Sequence, residues 1–225
     1  EGVYFMYDHL KKLQKKHLKK ASEVLTNSFI DNPMFVYFFP ISNKRRKILR
    51  SVFPMVLRIL QSNGSLYVTS DHVEGLFCVS QHGEKTKKGK LILAALSCAF
   101  RLPGVFIQLS MVDFLRKASR LQPSNSKLNY YKKNYENFLL VDSVCVDPLH
   151  RHQGHMTTMM RAAVAETNQK RTFCLLQTET LQNVRIYKHL GFSLVEEITS
   201  DQIPFSTFVM IYDPFGLTTN RELDT

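Results

Sequence analysis

One long apolar run, followed by an amphipathic segment, stands out in the pattern of hydrophobic and polar positions along the chain. The run occupies residues 138–146, is rich in β-branched residues and predicts a strand that is buried on both faces. Asp147 and Pro148 end this strand, and from Gly154 onward apolar residues recur at the spacing of a helix. The first N–H groups of such a helix have no internal partner and attract anions, and a glycine lets an anion approach the backbone closely.

Weaker patterns on both sides of this unit predict further elements. The helices are predicted from His9 or Lys15 to Phe29, at 44–61 with a kink or restart at Pro54, at 91–121 with a break at Pro103 and Gly104, and at 183–189. The strands are predicted at 3–7, 66–69, 75–80, 173–178, 192–198 and 205–212. A polar linker at 122–127 precedes the tyrosines that lead into the long strand.

The composition is that of an ordinary globular protein. With 225 residues and 44% hydrophobic content, the chain can form one well-buried core, and we expect a single domain over residues 1–225. No run approaches the roughly 20 apolar residues of a membrane span, and the amino end lacks the pattern of a secretory signal, so we expect a soluble, cytoplasmic protein. The four cysteines, Cys78, Cys98, Cys145 and Cys174, lie in apolar runs without CxxC spacing and are expected to be reduced and buried.

Two short motifs are similar to signatures of a known superfamily. The segment 151–156, RHQGHM, resembles the acyl-CoA signature Arg/Gln-x-x-Gly-x-Gly/Ala of the GNAT superfamily of N-acetyltransferases, with Met156 in place of the usual small residue. The segment 183–192, which contains Asn183, Tyr187 and a Leu-Gly-Phe sequence, resembles a second GNAT signature one helix and one strand further on. Two motifs in the expected order are much more specific than one, and together they cover roughly the last ninety residues.

The resemblance implies a fold class. It predicts an α/β (α+β) protein with the GNAT-like acyl-CoA N-acyltransferase fold, in which helices flank a mixed, mostly antiparallel and splayed sheet. Residues 91–121 would be a helical insertion before the central strand, which either borders the acceptor pocket or covers the core. Residues 21–40 loosely resemble the opening of enzymes of the puromycin-acetyltransferase type, so the aromatic residues that follow the first helix would line the pocket or pack in the core.

The resemblance also implies acetyl-CoA as co-substrate, without a metal. The turn would bind the pyrophosphate, backbone N–H groups at 144–146 would stabilise the tetrahedral oxyanion, and Asn183 would hydrogen-bond the pantetheine or cap its helix. The implied coenzyme-binding residues are Val144, Cys145, Val146, Arg151, His152, Gln153, Gly154, His155, Met156, Thr157 and Asn183. The spacing of the histidines at 150, 152 and 155 matches no known zinc motif, and we expect these side chains to be exposed.

Two side chains are candidates for proton transfer. Tyr187 matches the family's tyrosine acid, and a phenol of pKa about 10 is protonated at pH 7 and can donate to the leaving thiolate. Asp142 is the only acidic side chain in the long strand and has the same parity as Leu140, where the family sometimes carries a glutamate base. The alternatives are a core tyrosine, a hydrogen-bonded aspartate and deprotonation through water. No histidine is clearly placed to activate Cys145 as a nucleophile.

The resulting hypothesis is an N-acetyltransferase that moves an acetyl group from acetyl-CoA to a primary amine, in a ternary complex. The alternatives are a non-catalytic acyl-CoA sensor and, less favoured, a basic module that binds nucleic acid or protein. The last rests on the net charge of +11 and on six lysines between Lys11 and Lys20 that would form one stripe on a helix. Such a stripe is also typical of a solvated face or of steering of the anionic coenzyme, and no motif matches a zinc finger or an RRM. The acceptor amine and the oligomeric state stay open.

Overall fold

The structure, a computed structural model, describes residues 7–63, 65–83, 111–121 and 126–218. In these ranges one sheet is flanked by helices on both faces. The strands are β1 (Lys11–Lys12), β2 (Ser65–Val68), β3 (Gly75–His82), β4 (Phe138–Val146), β5 (Cys174–Thr178), β6 (Ser193–Ile198) and β7 (Thr207–Tyr212). The helices are α1 (Leu18–Phe29), α2 (Pro33–Phe38), α3 (Ser42–Asn63), α4 (Met111–Arg120), α5 (Ser126–Asn134), α6 (His155–Lys170) and α7 (Leu181–His189). No helix in the described ranges combines the length and the apolar character that crossing a membrane requires.

The sheet opens between two of its central strands. The strand order is β1-β2-β3-β4-β5-β7-β6, and each neighbouring pair is antiparallel except β4 and β5. These two strands pair at two positions, Leu139 with Cys174 and Leu140 with Leu175, although both strands continue further. They therefore diverge toward their carboxyl ends, where ligands of sheets with parallel strands commonly bind. The predicted mixed, mostly antiparallel and splayed sheet is confirmed.

The alternation of side chains along the strands divides the core into two layers. On one face Leu139 and Leu176 belong to the layer beneath α6 and α7. On the other face Phe138 and Leu175 pack with α5, and Leu76 packs with α1 and α3. Because successive strand residues point to opposite faces, each of these layers has direct access to the gap where β4 and β5 separate.

A bulge interrupts β4 beside this gap. Leu76 pairs with Cys145 and Cys78 pairs with Asp142, so two β4 residues, Ser143 and Val144, lie opposite a single β3 residue. Ser143 has a φ of 54°, in the left-handed region. An extra residue of this kind bends its strand and leaves backbone groups without a partner in the ladder. The bulge therefore makes backbone N–H groups available at the edge of the gap.

Most of the predicted elements are confirmed. β4 has the predicted bounds, and α6 begins directly after Gly154, which is its N-cap. The predicted restart at Pro54 is wrong, because α3 continues through that residue as one helix. Of the first helix's two alternative starts the structure supports the later one, since a 3-10 turn at Lys15–His17 leads into α1. The thiols of Cys78, Cys145 and Cys174 are free and buried, as predicted, and Cys98 lies outside the described residues.

Two helices were not predicted. α2 lies just after the first helix, where no element was predicted. It begins there because Asn32 Oδ1 accepts a hydrogen bond from Met34 N at 3.0 Å and Pro33 stands where a helix needs no N–H partner. α5 begins at the end of the predicted linker, whose residues 122–125 lie outside the described residues, and includes tyrosines that lead into β4. It buries little besides Tyr131, so its apolar pattern is weak. Within the predicted helical insertion, α4 lies among the described residues and the rest lies outside them, as does nearly all of the strand predicted at 3–7.

The lysines near the amino end do not form one helical stripe, which corrects the prediction. Lys11–Lys12 form β1, Lys15–His17 form the 3-10 turn, and the remaining two lie in α1. Asp71 lies among them, forms ion pairs with Lys11 and with Lys16 at 2.7 Å, and is within hydrogen-bond distance of His17 Nε2 at 2.9 Å. Part of the basic charge is therefore compensated locally, on an exposed surface where ion pairs contribute little to stability.

Candidate active site

A cavity of about 320 Å³ lies where β4 and β5 diverge. Residues of β4, β5 and α7 form one side of it, and Phe29, Phe35 and Phe53, from three different helices, form the other. Among the described residues that line this cavity are two carboxylates, Asp142 and Glu179, and no lysine, arginine or histidine. The size suits a small ligand, and the lining suits one that is partly apolar and partly cationic.

The bulge brings backbone groups to this cavity. Ser143 and Val144 line it, whereas Cys145 lies in the buried layer beneath α1 and α3, and Val146 packs against the layer beneath α6. N–H groups released from the ladder at this point are donors of the kind that stabilise an oxyanion. The family resemblance implied the stretch 144–146, which does not include Ser143, because the left-handed backbone of Ser143 depends on how the strands pair.

The connection from β4 to α6 is a well-defined turn. The Asp147 carboxylate accepts a hydrogen bond from Leu149 N–H at 3.2 Å and pairs with Lys20 at 3.1 Å. Burial alone would raise the pKa of Asp147, but these two interactions lower it below its ordinary value, so the side chain stays ionised and holds the turn in place. Lys20 thus anchors the amino end of α1 to the turn that precedes α6.

The amino end of α6 has the geometry of an anion site. Gly154 has a φ of 83°, which favours glycine, and a Cβ placed there would meet no atom within 4 Å. No side chain caps the helix, so the N–H groups of its first turn, at 155–157, lack a side-chain acceptor. Arg151, His152 and Gln153 are exposed beside this open space. These features fit a pyrophosphate, because the exposed helix end carries positive potential and the glycine leaves room for close approach.

Tyr187 lies at the cavity on the α7 side and is 4% exposed. Its ring packs against Phe192, with the ring centroids 6.0 Å apart, and its hydroxyl forms no hydrogen bond within the described residues. Burial, followed by the nearby Glu179 carboxylate, raises the pKa of Tyr187 above its ordinary value. The phenol therefore keeps its proton throughout the physiological pH range and is available as a donor.

Asn183, the other motif residue of α7, is held by threonines. Thr180 caps the helix by accepting from Asn183 N–H at 3.3 Å, and Asn183 Nδ2 donates to Thr178 Oγ1 at 2.9 Å. Thr180 is thus the capping residue, and the Asn183 side chain is oriented by β5. Its Oδ1 is left as an acceptor at the cavity, where a pantetheine amide could donate to it.

Asp142 lines the cavity together with Leu140, the residue of the same parity in β4. Burial raises the pKa of its carboxyl, and the charge of Lys132 offsets only part of this effect. The described residues offer it no hydrogen bond. A carboxyl whose pKa is raised in this way is closer to the range in which a general base works well at neutral pH.

Glu179 is a cavity residue that the sequence patterns did not single out. It follows β5 directly, and its Oε2 accepts a hydrogen bond from Asn32 Nδ2 at 2.9 Å. Burial raises the pKa of its carboxyl, and the hydrogen bond from Asn32 offsets part of this shift. The sequence did contain a signal for Glu179 as a site residue, because it is an acidic residue at the carboxyl end of the strand predicted at 173–178, which follows the central strand.

Other reactive side chains lie in less suitable surroundings. Burial raises the pKa of the Cys145 thiol to about 12, so this residue is an inert core thiol rather than a nucleophile. The His150 and His155 rings lie 6.4 Å apart at the turn, and within the described part of the chain no three His, Cys, Asp or Glu residues are arranged to hold a metal. A wider depression of about 680 Å³, lined by Lys132 and Lys170, lies at the opposite end of β4 and contains none of the motif residues.

Comparison with known proteins agrees with this geometry. A model of the acetyltransferase (GNAT) family matches residues 127–192, which include β4, the turn, α6, β5 and α7. Residues 127–192 are therefore similar to the acetyltransferase (GNAT) family over the segment that contains both motifs, and the predicted resemblance to that superfamily is confirmed. No match was found among curated protein sequences.

Solved structures extend the likeness to nearly the whole fold. A structure described as histone acetyltransferase HPA2 and related acetyltransferase, from Corynebacterium glutamicum, superposes with a TM-score of 0.62 at 16% identity, over 91% of this chain and 95% of the other. Arylalkylamine N-acetyltransferase 2 from Aedes aegypti superposes with a TM-score of 0.55 at 13% identity, over 90% of this chain and 96% of the other. At such low identity these structures establish the GNAT fold and leave the acceptor open.

Proposed function

We propose that this protein is an acetyl-CoA-dependent N-acetyltransferase that acetylates the primary amine of a small molecule by direct attack in a ternary complex. One observation carries this proposal: the turn at Gly154, which has the geometry of an anion site, continues the same strand whose divergence from β5 opens the cavity that Tyr187 lines. A donor anchored at Gly154 by its phosphates can extend along this gap and present its reactive end to the cavity. A protein that only binds an acyl-CoA needs no protonated phenol at that place.

The chain's own residues account for the three tasks of the reaction. Acetyl-CoA, when bound, supplies the acetyl group as a thioester. Stabilisation of negative charge on the thioester oxygen is assigned to the backbone N–H groups at Ser143 and Val144, because these residues line the cavity at the bulge; one such donor typically contributes 10²–10³-fold. Tyr187 donates a hydrogen bond, or its proton, to the departing sulfur, and the apolar wall of the cavity excludes water from the reacting groups.

The amine must lose a proton before it attacks, because an alkylammonium has a pKa near 10. Asp142 is a candidate acceptor for this proton, since it lines the cavity and burial raises its pKa. Water in the cavity is the alternative. Direct attack fits the surroundings of Cys145, which do not favour a thiolate that could carry the acetyl group covalently.

Two measurements on the purified protein test this proposal. Calorimetric titration with acetyl-CoA should show saturable binding, and a panel of primary amines should reveal at least one that releases free thiol from acetyl-CoA, with the N-acetyl product confirmed by mass spectrometry. Binding without transfer to any amine would identify an acyl-CoA sensor instead. Absence of acetyl-CoA binding, together with salt-dependent retention on nucleic acid, would favour the basic interaction module.

A further inference from the structure

Glu179 lies in a cavity and has a fixed hydrogen-bond donor but no cation as partner among the described residues, which a purely structural role at the end of a strand does not explain. Its side chain lines the cavity, and the groups that act on it are the Asn32 amide and its own backbone. No ion pair compensates this carboxylate within the described residues. Glu179 is half-buried in the cavity lining, and a carboxylate held there without a cation loses part of its hydration, so its presence calls for a functional reason such as a cationic ligand.

The position of the Glu179 carboxylate is set by a side chain whose own orientation is determined. Asn32 Oδ1 accepts the hydrogen bond from Met34 N at 3.0 Å that caps α2, so its Nδ2 must be the atom that points to Glu179 Oε2, 2.9 Å away. The loop between α1 and α2 thereby holds the carboxylate at the end of β5. Such a polar group supported by a second, fixed polar group is typical of a binding site built for a specific charge.

Glu179 is also the cavity carboxylate that acts on the proposed acid. Its charge contributes to the raised pKa of Tyr187, after burial, whereas Asp142 is not among the groups that affect Tyr187 and instead raises the pKa of Cys78 in the opposite layer. The reacting nitrogen must come close to the thioester carbon, and Tyr187 must come close to its sulfur. A carboxylate in the same cavity as Tyr187 that also acts on its hydroxyl is therefore well placed to meet the amine.

The aromatic residues that line the cavity indicate what kind of group the amine carries besides its nitrogen. Phe29, Phe35 and Phe53 form one cluster, in which Phe35 and Phe53 meet edge to face with their centroids 5.6 Å apart. Among the described residues that line the cavity the carboxylates are those of Asp142 and Glu179, and neither belongs to this aromatic cluster. The wall thus favours a compact apolar group, and a second ammonium group would lose its hydration there without gaining a partner.

We propose that Glu179 binds the ammonium group of a monoamine with an apolar, aromatic-sized body and accepts its first proton, and that Asn32 is the positioning residue. This inference rests on the proposed acetyltransferase function. The ammonium transfers one proton to the Glu179 carboxylate, the free amine forms the C–N bond with the acetyl carbon, and the C–S bond breaks. Tyr187 gives its proton to the departing sulfur, and the nitrogen then gives its second proton to the Tyr187 oxygen. The proton on Glu179 returns to solvent, so the products are the amide, the thiol and one proton.

The pH profile of kcat/KM tests this role, with 2-phenylethylamine as the probe amine. The titratable groups that line the cavity with Glu179 are Asp142 of β4 and Tyr187 of α7. Glu179→Gln should lower kcat/KM by about 10²–10⁴-fold and remove the acid limb of the profile, because the amide cannot accept a proton. Glu197→Gln, on the exposed strand β6, is the matched control and should behave as wild type. An acid limb that persists in Glu179→Gln but disappears in Asp142→Asn would overturn the inference in favour of Asp142.

Substitutions of Asn32 test the positioning role without loss of the helix cap. Asn32→Ser and Asn32→Asp both retain a good N-cap for α2, so the fold should be kept. Asn32→Asp places a second carboxylate beside Glu179, which should move the acid limb to higher pH, whereas Asn32→Ser only removes the donor and should move it less. Identical pH profiles for wild type and Asn32→Asp would contradict the proposed arrangement.

Ligand binding separates this inference from the proposed function. In the protein saturated with CoA, 2-phenylethylamine should bind at least tenfold more tightly than 2-phenylethanol or spermidine, and Glu179→Gln should abolish the preference over the alcohol. If wild type releases no thiol with any amine but shows this charge preference, the acetyltransferase proposal fails and the amine site stands. If wild type turns over amines but binds the alcohol equally well, or prefers spermidine, the assignment of Glu179 and of the apolar body fails.

Discussion

Replacement of Tyr187 by phenylalanine separates an enzyme from a binding domain. The hydroxyl forms no hydrogen bond within the described residues, so its removal orphans no other group. The ring contact with Phe192 at a centroid distance of 6.0 Å is retained. We therefore expect the free energy of unfolding to change by less than about 1 kcal/mol, and the affinity for acetyl-CoA to stay close to that of wild type.

The effect on turnover follows from the environment of the phenol. General acid catalysis typically contributes about 10²–10⁴-fold. Burial and the Glu179 carboxylate raise the pKa of Tyr187, which makes it a weaker proton donor and favours stabilisation of the thiolate by a hydrogen bond. We therefore expect a loss near the lower limit, about 10²-fold in kcat, which corresponds to about 2.7 kcal/mol at ~1.36 kcal/mol per factor of ten.

The assay is thiol release under saturating acetyl-CoA with an accepted amine, alongside thermal unfolding and calorimetric titration. Tyr212→Phe is the matched control, because Tyr212 packs against Phe192 from another side and its hydroxyl donates to Asn168 Oδ1 at 3.1 Å, away from the cavity lining. Near-normal turnover of Tyr187→Phe, or a loss of stability with normal kcat, would refute the role of Tyr187 as donor and leave the coenzyme site unaffected.

Three further predictions concern the coenzyme turn and the two carboxylates. Gly154→Glu should abolish CoA binding, because it places a negative charge where a phosphate must approach the helix end. The control Gly154→Ala has the same backbone strain, about 1–2 kcal/mol from the φ of 83°, and should fold and retain weak binding. Equal CoA affinity of the two variants by calorimetry would contradict the site. Asp142→Asn should lower kcat/KM if Asp142 is the base, without a change in CoA affinity, and an unchanged pH profile would leave Glu179 or water in that role. Burial raises the pKa of Glu179 in the folded state, so the stability that its protonated carboxyl contributes is fully present below the unfolded pKa near 4.3 and is lost as pH rises through the folded pKa. The melting temperature of Glu179→Gln relative to wild type should therefore increase between pH 4 and pH 8. A constant difference would show that the pKa of the carboxyl is not perturbed.

The central unit of the fold was predictable because its determinants are local. The apolar run of β4 is bounded by Asp147 and Pro148, and Gly154 stands where the chain needs a positive φ before α6. The short helix with Tyr187 was predictable for the same reason, since its apolar spacing and the two motifs lie within a few residues of one another. Strong local patterns of this kind determine an element before any long-range contact forms.

Elements with weak local patterns were mispredicted. α5 buries little besides Tyr131, and α2 depends on the cap of Asn32, so neither shows a clear helical periodicity. The lysine-rich stretch has the spacing of a helix but contributes Lys11–Lys12 to the edge of the sheet, where they pair with β2. In these places tertiary contacts outweighed the intrinsic preference of the sequence.

Local sequence was enough to define the strand, the turn before α6 and Tyr187 as a candidate donor, because each depends on residues close together in the chain. Which groups share the cavity follows only from the folded arrangement of distant segments. The bulge at Ser143 exists only through pairing with β3, and Asn32 meets Glu179 across 147 positions of sequence. Burial, which raises the pKa of Asp142 and Glu179, is likewise a property of the assembled layers and not of any segment, so the charge pattern of the acceptor site could not be derived from sequence spacing.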